Sequence, residues 1–176
     1  MTQAPIAAEG QTAPAERRIT PWGWRALLIA AVVIALDQAT KHWILEILRL
    51  PERATHEVIW PLQFTRIWNE GVSFGLFQAG HDIVRWGFVL FAFGVASVLI
   101  FWARSQTRLL PAVGLGLVIG GAIGNAIDRA RFGAVVDFID VQRLGFFPWI
   151  FNIADSGITI GVILLLLDSL RPQRAD

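Results

Sequence analysis

Six acidic and amide side chains lie beside or inside strongly apolar stretches: Asp37, Asn125, Asp128, Asp137, Asn152 and Asp155. A polar or ionisable group in such surroundings is costly unless it finds a partner or a proton, so these six are the functional candidates. They fall in three clusters. The first is Asp37-Gln38-Ala39-Thr40-Lys41. The second is Asn125-Ala126-Ile127-Asp128-Arg129, leading to Val135-Val136-Asp137-Phe138. The third is Phe151-Asn152-Ile153-Ala154-Asp155-Ser156. On a helix, Asn152, Asp155 and Thr159 share one face. The best partner for an aspartate there is a second carboxyl. Two close carboxyls cannot both ionise, so one keeps a proton. One then acts as base on a water and the other as acid toward a carbonyl, which is peptide hydrolysis without metal, cofactor or covalent intermediate. Neighbouring asparagine amides can donate hydrogen bonds that orient the two carboxylates.

The second carboxyl is either Asp128 or Asp137, and spacing alone leaves both open. Asp128 has Arg129 beside it and lies three residues after Asn125, so local partners can hold it ionised. Asp137 sits among Val135, Val136, Phe138 and Ile139, a setting that raises a carboxyl pKa and favours it as the proton holder. Asp37 and Lys41 stand at i, i+4 with the acid first, the favoured order for a helical ion pair, and read as supporting structure. Arg129 is either a structural partner of Asp128 or a contact for a substrate carbonyl or lipid headgroup. A divalent cation on Asp128, Asp137 and Asp155 is a competing use of the same groups; shared protons serve equally, and no metal is assigned. His42, His56 and His81 are scattered, with no metalloprotease helix motif. The serines lack an adjacent base, and Ser156 reads as a packing residue. Cysteine is absent, which removes disulfides, thiolate metal sites and cysteine nucleophiles together.

The positioning elements are apolar. Of 176 residues, 55% are hydrophobic and 16% charged, against about 25% charged in soluble domains. Lipid is therefore the main solvent, and a net charge of +1 gives no basic field for nucleic acid. Apolar stretches run Ala26–Leu36 continuing to Trp43–Leu48, Trp86–Ala103, Leu109–Ile127 and Trp149–Leu167. A spanning helix needs roughly 20 mostly apolar residues, so four spans are expected. Trp22, Trp24, Trp86, Trp102 and Trp149 near their ends match interfacial aromatic belts. Arg104 and Arg108 in the turn between the second and third spans favour a cytoplasmic turn and cytoplasmic termini. Residues 1–21, rich in Ala, Pro, Gln and Thr, read as a disordered tail. Between Pro51 and Asp82, alternation over Val58–Thr65 suggests a strand, and Asn69-Glu70-Gly71 a turn. Gly116, Gly120 and Gly124 at four-residue spacing let another helix approach closely.

The chain resembles the lipoprotein signal peptidase family, also called signal peptidase II. Five motifs carry the resemblance in order: Asp37-Gln38 with Lys41; Asn69-Glu70-Gly71-Val72-Ser73-Phe74-Gly75; Gly120-Gly121-Ala122-Ile123-Gly124-Asn125 with Asp128-Arg129; Val135-Val136-Asp137-Phe138; and Phe151-Asn152-Ile153-Ala154-Asp155. Ser73 stands where the family often has Ala. The resemblance covers about residues 22–171 and implies an all-α membrane protein: four transmembrane helices with a small extracytoplasmic β-cradle in the 51–82 insertion. It implies a bacterial inner-membrane aspartic endopeptidase with both termini cytoplasmic. Its partner would be a diacylglyceryl-modified prolipoprotein, cut just before the lipidated cysteine, with membrane lipid around it and globomycin-type inhibitors competing. Asp137 and Asp155 would be the catalytic pair. Asn69, Asn125, Arg129 and Asn152 would bind substrate or orient the pair, and Asp37, Lys41 and Asp128 would support them. Two other readings compete: a proton relay through Asp37, Asp128 and Asp155 in a transporter, and an assembly subunit packed through the glycine face.

Overall fold

The computed structural model describes residues 18–71 and 81–170. The tail expected over 1–21 and the motif residues Val72–Gly75 therefore lie largely or wholly outside the described residues. Helix α1 spans Pro21–His42. Thr20 caps it: its hydroxyl oxygen accepts from the Gly23 amide at 2.9 Å, and Pro21 occupies the first helical position, where no N–H is needed. A π-helical turn, Trp43–Ile47, extends it and buries Ile44 against Leu50 and Phe138. Helix α2 spans His81–Ala103 and α3 spans Leu109–Phe132. Helix α4 spans Ile153–Ser169.

Helix α3 is the hub and packs against α1, α2 and α4. Its glycines make the close approach possible. A Cβ on Gly116 would lie 2.6 Å from the Ala26 carbonyl of α1, and one on Gly121 would run into the Ala154 carbonyl of α4. Helix α2 keeps its outer face bare, with Leu90 and Phe91 about 70% exposed (71% and 70%). An apolar face that wide is stable only in lipid. Among the described residues, three helical stretches are long and apolar enough to cross a membrane: Pro21–Ile47, Asp82–Ala103 and Leu109–Phe132. Helix α4 has 17 residues, about 26 Å at 1.5 Å per residue.

Four antiparallel strands form one sheet in the order β1-β2-β3-β4: Thr55–Ile59, Leu62–Asn69, Val135–Asp140 and Ile150–Phe151. The alternation over Val58–Thr65 is thus not one strand but the tip of a hairpin. Pro61 has no N–H to give a ladder, and the chain turns at Trp60-Pro61. The fourth apolar stretch also divides. Ile150–Phe151 is strand, and the helix begins only after Asn152. Asp140 anchors the sheet's far side, accepting from the Gln63 amide and the Thr65 hydroxyl at 2.7 Å each. Burial would raise its carboxyl pKa. The Gln142 backbone amide, Thr65, Gln63 and the Arg143 charge outweigh that and hold it below the usual range.

Candidate active site

Three elements meet where the sheet joins the helices. Strand β3 carries Asp137. In the register Asn69↔Val135, the Asn69 side chain shares a face with Val135 and hence with Asp137 two residues on. The diagonal contact follows: Asn69 Nδ2 donates to Asp137 Oδ2 at 2.9 Å. The next turn of chain delivers Asn152 as the N-cap of α4. Its Oδ1 accepts from the Asp155 amide at 2.9 Å, and the Asp155 carboxylate accepts from the Asn152 amide at 3.3 Å. This reciprocal capping box satisfies two orphan N–H groups and fixes the Asp155 side chain. The same capping leaves the Asn152 Nδ2 group free, and it donates to Asp137 Oδ1 at 2.7 Å.

Asn125 of α3 completes the bridge. Its Nδ2 donates to Asp155 Oδ1 at 2.7 Å, and its Oδ1 accepts from Asn152 Nδ2 at 3.2 Å. Asp137 and Asp155 are therefore joined by a chain of two asparagine amides. Asp137 is 1% exposed. Burial pushes its carboxyl up to about 6; the Asn69 and Asn152 amides pull it down, and the neighbouring Asp155 charge pushes it up.

Beneath the pair lies a second ionic cluster. Lys41 Nζ sits 2.8 Å from Asp37 Oδ2 and 2.7 Å from Asp128 Oδ2, all three residues buried. Asp37 Oδ1 accepts from the Ala154 amide at 3.0 Å, another orphan donor of α4. Asp128 accepts from Gln38 Nε2 at 2.9 Å and from the Val136 amide at 3.1 Å. A Cβ on Gly124 would come within 2.8 Å of the Asp37 carboxylate, so that glycine makes room for the cluster. The ionic partner of Asp128 is Lys41 and not the adjacent Arg129. Arg129 points elsewhere, over the Phe88 ring at 5.1 Å, and its buried Nε has no hydrogen-bond partner among the described residues. Its charge lies within electrostatic reach of Asp155 and Asp137.

All nine residues singled out from the sequence thus converge: Asp37, Lys41, Asn69, Asn125, Asp128, Arg129, Asp137, Asn152 and Asp155. Thr159 does not; it is exposed on α4. Ser156 donates to the Asn152 carbonyl at 3.0 Å, a backbone role. Among the described residues no three carboxylate or histidine groups form a metal-ligand set. Gln38, part of the Asp37-Gln38 motif, holds Asp128. One residue escaped sequence reasoning. Arg85 of α2 caps the end of α3 through the carbonyls of Arg129, at 2.8 Å, and Ala130. Nothing in its local sequence marks it.

Residues 29–171 match the family model described as signal peptidase (SPase) II. A lipoprotein signal peptidase of Caulobacter vibrioides is 53% identical over 152 residues, which is 86% of this chain and 89% of that one. One from Methylorubrum extorquens is 42% identical over 150 residues, covering 85% and 88%. A solved structure of a bacterial membrane enzyme superposes with a TM-score of 0.74 at 32% identity, covering 89% of this chain and 99% of that one.

Proposed function

This chain belongs to the signal peptidase II family, and from that premise we propose that Asp137 and Asp155 are the dyad with which it removes signal peptides from prolipoproteins. The observation that carries the reading is the asparagine bridge: two carboxylates, one fully buried, oriented by Asn69, Asn125 and Asn152. The singly protonated pair needs no further reagent. Asp155 takes a proton from water, and the oxygen attacks the scissile carbonyl carbon. Asp137 gives its proton to the carbonyl oxygen, and the tetrahedral diol forms. Asp155 then returns its proton to the leaving nitrogen, the C–N bond breaks, and Asp137 recovers a proton as the carbonyl re-forms. Arg129, with donors to spare, holds a substrate carbonyl beside the pair.

The lipid half of the substrate has a place as well. An apolar hollow of about 370 Å³, lined by Val84, Gly87, Phe88 and Phe91, opens beside the ring under Arg129 and suits an acyl chain of a diacylglyceryl-cysteine. Globomycin-type inhibitors would compete for the same space. We read α4 as a fourth span, residues 22–171 as one peptidase domain, and the membrane as the bacterial inner membrane. Contacts support placing both ends of the helical domain on one side, which the arginines of the α2–α3 turn would make cytoplasmic. The Thr20 amide donates to the Arg104 carbonyl at 3.0 Å, and Arg108 pairs with Asp168 at 2.8 Å, so the start of α1, the α2–α3 turn and the end of α4 share one end. The sheet lies at the other, which would be extracytoplasmic. A proton relay through Asp37 and Asp128 is disfavoured because both are locked to Lys41.

The test is single-turnover cleavage of a lipidated prolipoprotein, normalised to folded enzyme. Asp137→Asn and Asp155→Asn each lose cleavage by at least about 10³-fold, the scale on which general acid–base groups act. Asp128→Asn loses stability, on the order of 3 kcal/mol for a broken buried pair, and keeps turnover per folded molecule. Turnover by Asp137→Asn with none by Asp128→Asn would reassign the pair to Asp128 and Asp155.

A further inference from the structure

We infer that Lys41 is a positioning residue for the dyad: its ammonium fixes which end of the Asn125 amide faces Asp155. This rests on the reading of Asp137 and Asp155 as the catalytic pair. An ammonium has three donors and no acceptor. Buried Lys41 meets three acceptors: Asp37 Oδ2 at 2.8 Å, Asp128 Oδ2 at 2.7 Å and Asn125 Oδ1 at 3.2 Å. The two carboxylates are enough to neutralise it. The third bond goes to a neutral amide whose other end lies 2.7 Å from Asp155 Oδ1.

An amide has one accepting end and one donating end. Because an ammonium can meet only the accepting end, Lys41 turns the N–H₂ of Asn125 toward Asp155. The flipped amide would set its oxygen against the Asp155 carboxylate and its N–H₂ against the ammonium, two repulsive contacts in place of two attractive ones. Asn152 Nδ2 also meets Asn125 Oδ1, at 3.2 Å, but it is a weaker lock. Its two protons are shared among that oxygen, Asp137 Oδ1 at 2.7 Å and the Val136 carbonyl at 3.3 Å. Lys41 is itself held from both sides, since Asp37 is tied to the Ala154 amide and Asp128 to Gln38 and the Val136 amide. The cluster's three charges thereby set the hydrogen-bonding state of a carboxylate that none of them touches.

The experiment compares kcat and KM for a lipidated prolipoprotein. The main variant is Asp37→Asn/Lys41→Met/Asp128→Asn, which removes the three charges together and leaves Asn125 and both dyad residues in place. Lys41→Met alone is the second variant; its two freed carboxyls can share a proton. The expected result is a folded, monodisperse protein with KM within about threefold of the parent. Its kcat falls on the order of 100-fold, the scale of losing one oriented donor, and matches that of Asn125→Ala. Adding Asn125→Ala to the triple variant costs less than about threefold more, because the two changes remove one and the same contact. A triple variant with kcat within threefold of the parent overturns the inference. So do fully additive losses, and so does failure of both Lys41 variants to fold, which makes Lys41 a folding residue. Asp155→Asn run in parallel separates the two ideas: if it cleaves, the dyad reading fails, whereas parental kcat in the triple variant removes only the role of Lys41.

Discussion

Replacing Asp137 by Asn should stabilise the protein at neutral pH relative to acid pH, because a buried carboxyl raised to about 6 is ionised there at a cost. The sign follows from linkage. Between the unfolded value of 3.8 and the folded value of about 6, the unfolded chain has lost the proton and the native state still holds it. The native state therefore binds more protons, and its stability falls as pH rises through that window. The stabilisation from the neutral carboxyl is complete below the unfolded value and gone above the folded one. About two pKa units at 1.36 kcal/mol each give about 3 kcal/mol. For a chain of this size that corresponds to roughly 6–12 °C in Tm. The amide that Asp137→Asn introduces carries no such pH dependence. It does force one of its two amide neighbours, Asn69 or Asn152, to turn, because each now donates toward it. That offset is the same at every pH. The assay is thermal unfolding of both proteins in one detergent from pH 3.5 to pH 8. The difference, variant minus parent, should rise by about 3 kcal/mol across the whole range, about 2 kcal/mol of it between pH 4 and pH 6.5. A flat difference, or one that falls with pH, would refute the assignment of a raised Asp137 carboxyl.

Gly121→Ala should cost about 1–3 kcal/mol, because its Cβ meets the Ala154 carbonyl and not a side chain that can yield. Gly94→Ala, with open space around it on α2, should be neutral or stabilise by up to about 1 kcal/mol; equal losses at the two sites in a thermal-shift assay would contradict the packing. The chain has no cysteine, so single cysteines can be labelled without background. With an impermeant thiol reagent on spheroplasts, Glu52→Cys in the exposed loop before β1 should label and Thr107→Cys in the α2–α3 turn should not. The reverse pattern would invert the proposed orientation.

Helices α2 and α3 were legible because their apolar runs are uninterrupted by charge over Trp86–Ala103 and Leu109–Ile127, and α1 carries a start signal in Thr20-Pro21. What periodicity could not separate was strand from helix in short apolar runs. Ile150–Phe151 reads as part of the fourth helix until the capping signature Asn152-x-x-Asp155 is given priority, since an N-cap ends whatever precedes it. Val135–Ile139 is rich in β-branched residues after Gly133, a strand signal too short to stand out beside the long apolar runs. The residues of the site were legible one by one, because polar groups in apolar surroundings announce themselves. Their pairing was not. Local spacing pairs Arg129 with Asp128, yet the fold supplies Lys41 from another helix and leaves Arg129 Nε without a partner among the described residues. Sequence neighbours on a helix point in different directions, so adjacency was the weaker guide.

Asp137 and Asp155 reach the proposed site from different kinds of element, and their surroundings differ accordingly. Asp37 and Asp128 flank Lys41 beneath the pair, two carboxyls to one ammonium. Arg129 supplies a positive charge on the other side, since arginine stays protonated. The first turn of α4 adds unpaired amides: Ala154 donates to Asp37, and the amides of Asn152 and Asp155 take part in the capping box. A helix N-terminus favours a nearby negative charge. Those donors surround Asp155, whereas Asp137 is fully buried on the sheet side, where burial and the Asp155 charge push its carboxyl up. The asymmetry follows from position: one aspartate belongs to a helix N-terminus and the other to a buried strand. The bridging amides of Asn125 and Asn152 then hold the two at fixed orientation without adding charge. In the proposed reaction, a cation placed between them would favour ionising both carboxyls and remove the proton that Asp137 gives to the scissile carbonyl in the first half.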